Sequence, residues 1–208
     1  RDALTAAGLG TVLLNTFIVV GISGLLSLGI GSFLAWINQR TDARIGGGLS
    51  EWLPIVPLMV PSIVGTIGWV LLASPVAGIA NVTIRNAMTW MGFTPPESGP
   101  LNVYSWTGVI LLYTLYLIPS VYLLMSAAMR NLDPSLEEAA RVAGARPLRT
   151  FFMITLPSVR HSLAGALLII VITGFAMYSV PIIIGTTAGI DILSVRIVRL
   201  VTANTPPR

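Results

Sequence analysis

Long apolar stretches alternate with short polar ones along this chain. Four of the stretches run from Thr11 to Trp36, from Trp52 to Ala73, from Trp106 to Met129 and from Ser162 to Ile184. About 20 largely apolar residues suffice to cross a bilayer as a helix, so each is predicted to be a transmembrane helix. Any one of them could be a buried helix of a soluble protein. Four in so short a chain point to a membrane.

Within the four spans no Asp, Glu, Lys, Arg or His occurs. Proton relays and voltage sensors place ionisable groups there, so both are disfavoured. Sodium sites built from backbone carbonyls remain open. The spans carry proline and small residues instead. Pro54, Pro57 and Pro61 stand three and four apart and are predicted to share one face of the second span. Pro119 interrupts the third, and Gly174 and Pro181 loosen the fourth. Proline inside a helix removes a hydrogen bond and kinks it, which a membrane tolerates where protein or a cavity covers the backbone. Two readings stand: ordinary kinked packing, or a translocation path for which Pro57, Pro61, Pro119, Tyr178 and Pro181 are candidates. Gly21, Gly24, Ser27 and Gly31 make small faces on the first span that suit helix packing.

The polar segments divide by charge. Asn38 to Glu51 holds Arg40 and Arg44, and Asn131 to His161 holds Arg141, Arg146, Arg149 and Arg160, whereas Ser74 to Ser105 holds only Arg85. Arginine favours cytoplasmic loops, so the first two segments are predicted to be cytoplasmic and the start of the chain external. The tail after Gly185, with Arg196, Arg199 and Arg208, weighs against this orientation. In the external segment, Ile79 to Trp90 could form a short amphipathic helix at the interface, with Trp90 as its anchor, or be an irregular loop. The chain opens at Arg1 and closes on Thr205-Pro206-Pro207-Arg208, and it reads as a piece of a longer protein.

Composition sharpens the picture. Of 208 residues, 54% are hydrophobic and 10% charged, against about 25% charged in soluble domains. All 12 basic residues are arginine, and without lysine no P-loop ATPase motif can be written. There is no cysteine and one histidine, His161, so no disulfide, thiolate or zinc site is expected. No nucleophile–base pair stands in the loops, which leaves an enzyme unsupported. Few aromatics accompany the arginines, which disfavours nucleic acid.

One polar segment is ordered by its own chemistry. Asp133 is a strong helix cap, and Pro134 at the first helical position loses no bond. Glu137 and Glu138 follow near the positive helix end. Leu136, Ala140 and Ala143 are predicted to form one apolar stripe. Gly144 permits a left-handed turn, Pro147 can start a second short helix, and Pro157 leads into the last span. A helix, a glycine turn and a second helix over 133–157 should therefore stand on the cytoplasmic face. Such a hairpin can be a solvated surface feature or a docking surface whose charges fix register.

Glu138-Ala139-Ala140, Gly144 and Ile154-Thr155-Leu156-Pro157 match in spacing the Glu-Ala-Ala motif of binding-protein-dependent ABC importer permeases. The chain resembles that family over nearly its whole length, from Leu14-Asn15-Thr16 to Arg199. The resemblance implies an all-α membrane protein. It would be a type I importer permease core of at least four transmembrane helices and a cytoplasmic coupling helix, with residues 1–208 as one core domain. It implies a multi-pass protein of the bacterial cytoplasmic (inner) membrane.

It further implies that the segment is a coupling helix docked in a groove of a cytoplasmic ATPase. Glu138 would pair with a basic group there, Ala139 and Ala140 would pack, and Gly144 would turn the chain; Ile154, Leu156 and Pro157 complete the motif. ATP and magnesium would be held by that partner, with no cofactor or metal on this chain. The other implied partners are a periplasmic or extracellular binding protein, a second permease copy or half, and membrane lipid. Phe175 to Gly185, followed by Ala188 to Leu193 and Arg196-Ile197, resembles the ferric iron branch of the family. Branches for polyamine, thiamine, sulfate and phosphonate compete. Asp191 and Tyr178 are the only oxygen donors to watch at that end. Outside this family, an ion-coupled carrier or channel and a membrane scaffold are the rival classes.

Overall fold

The structure, a computed structural model, describes residues 8–41 and 49–203. Arg1, Arg44 and Thr205 to Arg208, used above for orientation and chain extent, lie outside the described residues. Every regular element among the described residues is helical, as the apolar runs require. The first span is α1, Leu9–Arg40, 32 residues and so about 48 Å long. It outreaches a hydrocarbon core of about 30 Å. Its buried side chains recur at helical spacing: Val12, Thr16, Val19, Ser23, Ser27, Ala35 and Asn38. Leu14, Phe17, Leu25 and Leu26 are exposed on other faces. A helix apolar on both its buried and exposed faces is what lipid as solvent allows.

The second span is not one helix. It runs as α2, Leu49–Trp52, a tight turn Leu53–Ile55, α3, Val56–Met59, and, after a sharp break, α4, Ser62–Ala73. The expectation that Pro54, Pro57 and Pro61 share a helix face is therefore corrected: Pro54 is buried in the tight turn, Pro57 is half-buried, and Pro61 is exposed at the break. Each proline lacks an N–H and so removes a helical hydrogen bond; Val56, before Pro57, keeps helical geometry, and the chain breaks at Pro61. The three together dismantle the helix they were expected to decorate.

Next come α5, Ile79–Trp90, helical where a helix and an irregular loop were the two readings, and α6, Trp106–Arg130, which matches the third span and carries Pro119 buried inside it. The cytoplasmic segment gives α7, Ser135–Val142, α8, Pro147–Thr150, and α9, Leu156–Ser158. The fourth span, expected over 162–184, is α10, Arg160–Ala176, followed by non-helical Met177 and Tyr178 and a wide helical turn at Pro181–Gly185. Last comes α11, Leu193–Ala203. By length and composition α1 and α6 can each cross a membrane unaided. Ser50–Met59 with Ser62–Ala73, and Pro147–Ser158 with Arg160–Ala176 (bent by 77°), each qualify as a bent pair.

The chain forms two compact units. It passes between them at Ser23–Gly24, Met59–Val60, Leu115 following Thr114, and Gly174 following Thr173. The unit of residues 8–23, 60–114 and 174–203 is held by hydrogen bonds to backbone that helix breaks leave free. Pro181 cannot donate to the Met177 carbonyl. Ser194 Oγ (2.8 Å) and Tyr113 Oη (3.5 Å) donate to it instead. Asn15 Nδ2 donates to the Asp191 carbonyl at 3.1 Å, and the Leu193 N–H to Thr16 Oγ1 at 3.0 Å. Asn81 on α5 is fully buried, donates to the Ser74 and Leu101 carbonyls, and accepts from the Leu101 N–H. Gly99 passes so close to Asn81 that a Cβ there would stand 2.2 Å from its Oδ1. Trp90, at the end of α5, is 89% exposed.

The unit of residues 24–59 and 115–173 has the larger apolar core. Ala35 and Trp36 of α1, Leu117, Val121, Met125 and Met129 of α6, Phe151, and Ile170 of α10 pack together. Gly24 and Gly31 bring α1 close to its neighbours: a Cβ at Gly24 would stand 2.8 Å from Ile170, and one at Gly31 2.8 Å from Val121. Gly21 faces open space. The small-residue faces are thus packing surfaces at two of the three glycines.

Candidate functional site

The candidate site is the cytoplasmic segment that carries the Glu-Ala-Ala pattern. Its start lies one residue later than expected: Pro134 stands at the cap and Asp133 before it, and from there the Asp133 carboxylate accepts from the Ser135 N–H at 3.0 Å. That backbone bond, with the Ser135 side chain second, holds the Asp133 carboxyl below its usual value. Its end obeys the turn expectation. Gly144 has φ +80°, and it is the step at which helix α7 stops. The Ala145 N–H donates to the Ala140 carbonyl and the Gly144 N–H to the Arg141 carbonyl, both at 2.9 Å. This pair of bonds is the Schellman closure, which satisfies carbonyls that a helix end leaves free.

Between cap and turn, α7 turns an acid inward and leaves most of its apolar side chains outside. Leu136 is 60% exposed, Val142 is 92% exposed, and Ala139 and Ala143 are exposed as well. Ala140 is half-buried, and the residue that turns fully inward is Glu137, 3% exposed. Of the predicted stripe Leu136–Ala140–Ala143, the two ends are exposed and Ala140 is half-buried. The side against the protein is set by Glu137 and Ala140, three apart, because Glu137 finds polar partners there. Leu136, Ala139 and Val142 are left outside, three apart each, and Glu138 is exposed beside them.

Glu137 has two partners. Thr155 Oγ1 donates to its Oε1 at 2.6 Å. Arg40 Nε lies 3.8 Å from its Oε2, an ion pair without a hydrogen bond, with both side chains largely buried. Arg40 also donates through Nη2 to the carbonyls of Met129 (2.5 Å) and Leu132 (2.6 Å), at the end of α6. Arg141 Nη2 donates to the Arg40 carbonyl at 2.8 Å. Burying a carboxylate is costly unless it is paired and hydrogen-bonded, and these contacts meet that condition. Gln39, Arg40 and Thr41 on one side, and Pro134, Glu137, Glu138 and Arg141 on the other, border a polar cleft of about 430 Å³.

The second half of the motif supports the first. Pro147 starts α8 as expected, and a wide turn over Phe151–Thr155 carries the chain into α9. Phe151 is buried against Trp36, with ring centroids 5.0 Å apart. Ile154 is half-buried, Leu156 is half-buried against the apolar core, and Pro157 is exposed in α9. These residues hold the segment down, while Glu138, Ala139 and Gly144 stand on its outer side.

The translocation-path candidates fall in both units. Pro57 (half-buried) and Pro119 (buried) belong to one unit; Pro61 (exposed), Tyr178 (36% exposed) and Pro181 (buried) belong to the other. Within that second group, two helix breaks meet: Ser62 and Ser179, next in sequence to Pro61 and Tyr178, share a hydrogen bond of 2.9 Å. Asp191 is exposed and pairs with Arg199 at 3.8 Å. Among the described residues no three acidic or histidine side chains converge.

Sequence reasoning passed over Glu137, Thr155 and Arg40. The doubled acid Glu137-Glu138 held a usable signal, since two neighbouring helix positions cannot share a face. Nothing in the sequence tied Arg40 to it.

The sequence profile of the binding-protein-dependent transport system inner membrane components matches residues 27–204. The ferric transport system permease protein FbpB of Actinobacillus pleuropneumoniae is 25% identical, over 89% of this chain and 26% of its own length. The molybdenum transport system permease protein ModB of Escherichia coli K12 is 32% identical, over 67% of this chain and 56% of its own. The chain thus spans about a quarter of the first relative and just over half of the second. Among solved structures, a bacterial alginate ABC transporter crystallised with a pentasaccharide-bound periplasmic protein superposes with a TM-score of 0.73. It is 20% identical, over 97% of this chain and 70% of that one. At that identity the likeness speaks for the fold.

Proposed function

The chain belongs to the binding-protein-dependent transport system inner membrane components, and on that premise we propose that it is the permease of an ATP-driven importer coupled through α7. The observation that carries this reading is the way α7 is turned. Its acid is buried, and its apolar side chains, Leu136, Ala139 and Val142, are exposed beside Glu138. An exposed apolar face rimmed by charge marks a protein interface. A cytoplasmic ATPase is the partner this reading assigns to it, with Glu138 pairing with a basic group and the alanines letting the two chains approach closely. That partner would hold ATP and magnesium and carry out hydrolysis. A binding protein would deliver substrate on the other side of the membrane.

The transport path would be completed by a second permease copy or half. For the substrate we infer ferric iron, supported by the resemblance over 175–197 and by the extent of the match to the ferric permease. The molybdenum permease, at higher identity over a shorter span, supports molybdate as the second reading. With so few acidic groups near the breaks, the ligands of a ferric ion would belong to the binding protein.

The test is uptake of labelled ferric iron, molybdate and putrescine by cells carrying or lacking this chain. Loss of iron uptake alone is expected, and Gly144→Val or Glu138→Arg should abolish it with membrane insertion unchanged. Uptake that survives both substitutions would refute coupling through α7. Loss of molybdate uptake instead would refute only the substrate.

A further inference from the structure

Glu137 is more than a buried acid beside a docking face. Two side chains of α7 four residues apart, Glu137 and Arg141, both end at Arg40, one on its guanidinium and one on its carbonyl. The same Arg40 donates to the Met129 and Leu132 carbonyls where α6 ends, where a helix leaves carbonyls short of partners; the Met129 carbonyl also accepts from the Leu132 N–H at 3.3 Å. The other oxygen of Glu137 is held by Thr155, in the stretch that leads into α10. One carboxylate therefore ties α7 to the end of α1, through Arg40 to the end of α6, and to the root of α10. A loop that only had to present a docking face would not need this, because replacing a buried ion pair by apolar side chains is often neutral for stability.

Building on the importer reading above, we propose that Glu137 is a positioning residue, distinct from the docking residues. It makes the coupling helix and the cytoplasmic ends of α1, α6 and α10 move together. Movement imposed on the outer face of α7 then reaches the membrane helices and is not absorbed by the loop. Glu138, its exposed neighbour, would touch the partner; Glu137 would pass the motion on.

The test uses the full transporter in lipid nanodiscs, with its ATPase subunits and binding protein. ATP hydrolysis is measured with and without loaded binding protein, and hydrogen exchange is followed over residues 135–158. Glu137→Ala should cut stimulated hydrolysis at least tenfold, leave basal hydrolysis within about twofold, and leave the ATPase subunit bound. Exchange over 135–158 should quicken at least tenfold, because buried-network residues act as a unit. Glu137→Gln, which keeps an acceptor for Thr155 but loses the charge, should fall between Glu137→Ala and the unaltered chain. Thr155→Val should lose part of the stimulation, and adding it to Glu137→Ala should cost nothing more.

Stimulation kept by Glu137→Ala, or unchanged exchange, would overturn the proposal. So would release of the ATPase subunit by Glu137→Ala, since that would make Glu137 part of the docking face. If Glu137→Ala does not assemble, the isosteric Thr155→Val decides: full stimulation in that variant also overturns the proposal. An unaltered chain that binds no ATPase subunit would instead sink the importer reading, and this proposal with it.

Discussion

At the residue scale, Gly144 is the most constrained position of the segment. Its φ of +80° costs an L-residue roughly 1–2 kcal/mol, less for asparagine and most for a β-branched side chain. Activity should therefore rank Gly144→Asn above Gly144→Ala above Gly144→Val, read as initial uptake rates at equal membrane levels. Equal rates for all three would show that the turn does not matter. Asp133 gives a pH prediction. Its carboxyl is lowered by the Ser135 N–H, so its contribution is present above the unfolded value of about 3.9. It is lost only as pH falls through the lowered folded value. Protection of the Ser135 amide, corrected for intrinsic exchange, should be flat from about pH 7 to 5, fall below about pH 4, and be low at all these pH values in Asp133→Ala. The cap and the turn were legible in the sequence because each depends on one residue's own conformational chemistry. Glu137 was not, because its burial depends on Arg40 and Thr155, which only the fold brings to it.

At the element scale, α1 and α6 were legible nearly to their ends, because uninterrupted apolar runs in lipid have few alternatives to helix. The second and fourth spans were legible as apolar but not as broken. Periodicity alone put Pro54, Pro57 and Pro61 on one face, while the loss of three N–H groups broke the run into short pieces. Helix packing gives its own prediction. Gly31→Ala would place a Cβ 2.8 Å from Val121 and 3.2 Å from the Tyr122 nitrogen, whereas at Gly21 nothing lies within 4 Å. Overpacking of that kind costs about 1–3 kcal/mol. Thermal unfolding in detergent should therefore fall by several degrees for Gly31→Ala and barely move for Gly21→Ala; equal shifts would contradict the close approach of α1 and α6.

At the scale of the whole molecule, the two described units each hold part of what an importer needs. One carries the paired helix breaks around Ser62 and Ser179 and the helix α5 locked by Asn81. The other carries the coupling segment on its apolar core. The sequence offered a compact pattern for the partner side and only scattered positions for a path. The Glu-Ala-Ala spacing is local in the chain, whereas a path is assembled from positions far apart in it. Absence of ionisable groups from the predicted spans disfavoured a proton relay, and α7 is where an outside energy source is proposed to act. The most direct test is co-purification of the ATPase subunit with this chain, comparing the unaltered protein with Val142→Asp, a charge placed on the outer face of α7 that touches none of the partners of Glu137. The account predicts a stoichiometric ATPase subunit on the unaltered chain and its loss from Val142→Asp, with the chain still inserted in the membrane. Full retention by Val142→Asp, or no ATPase subunit on the unaltered chain, would contradict it.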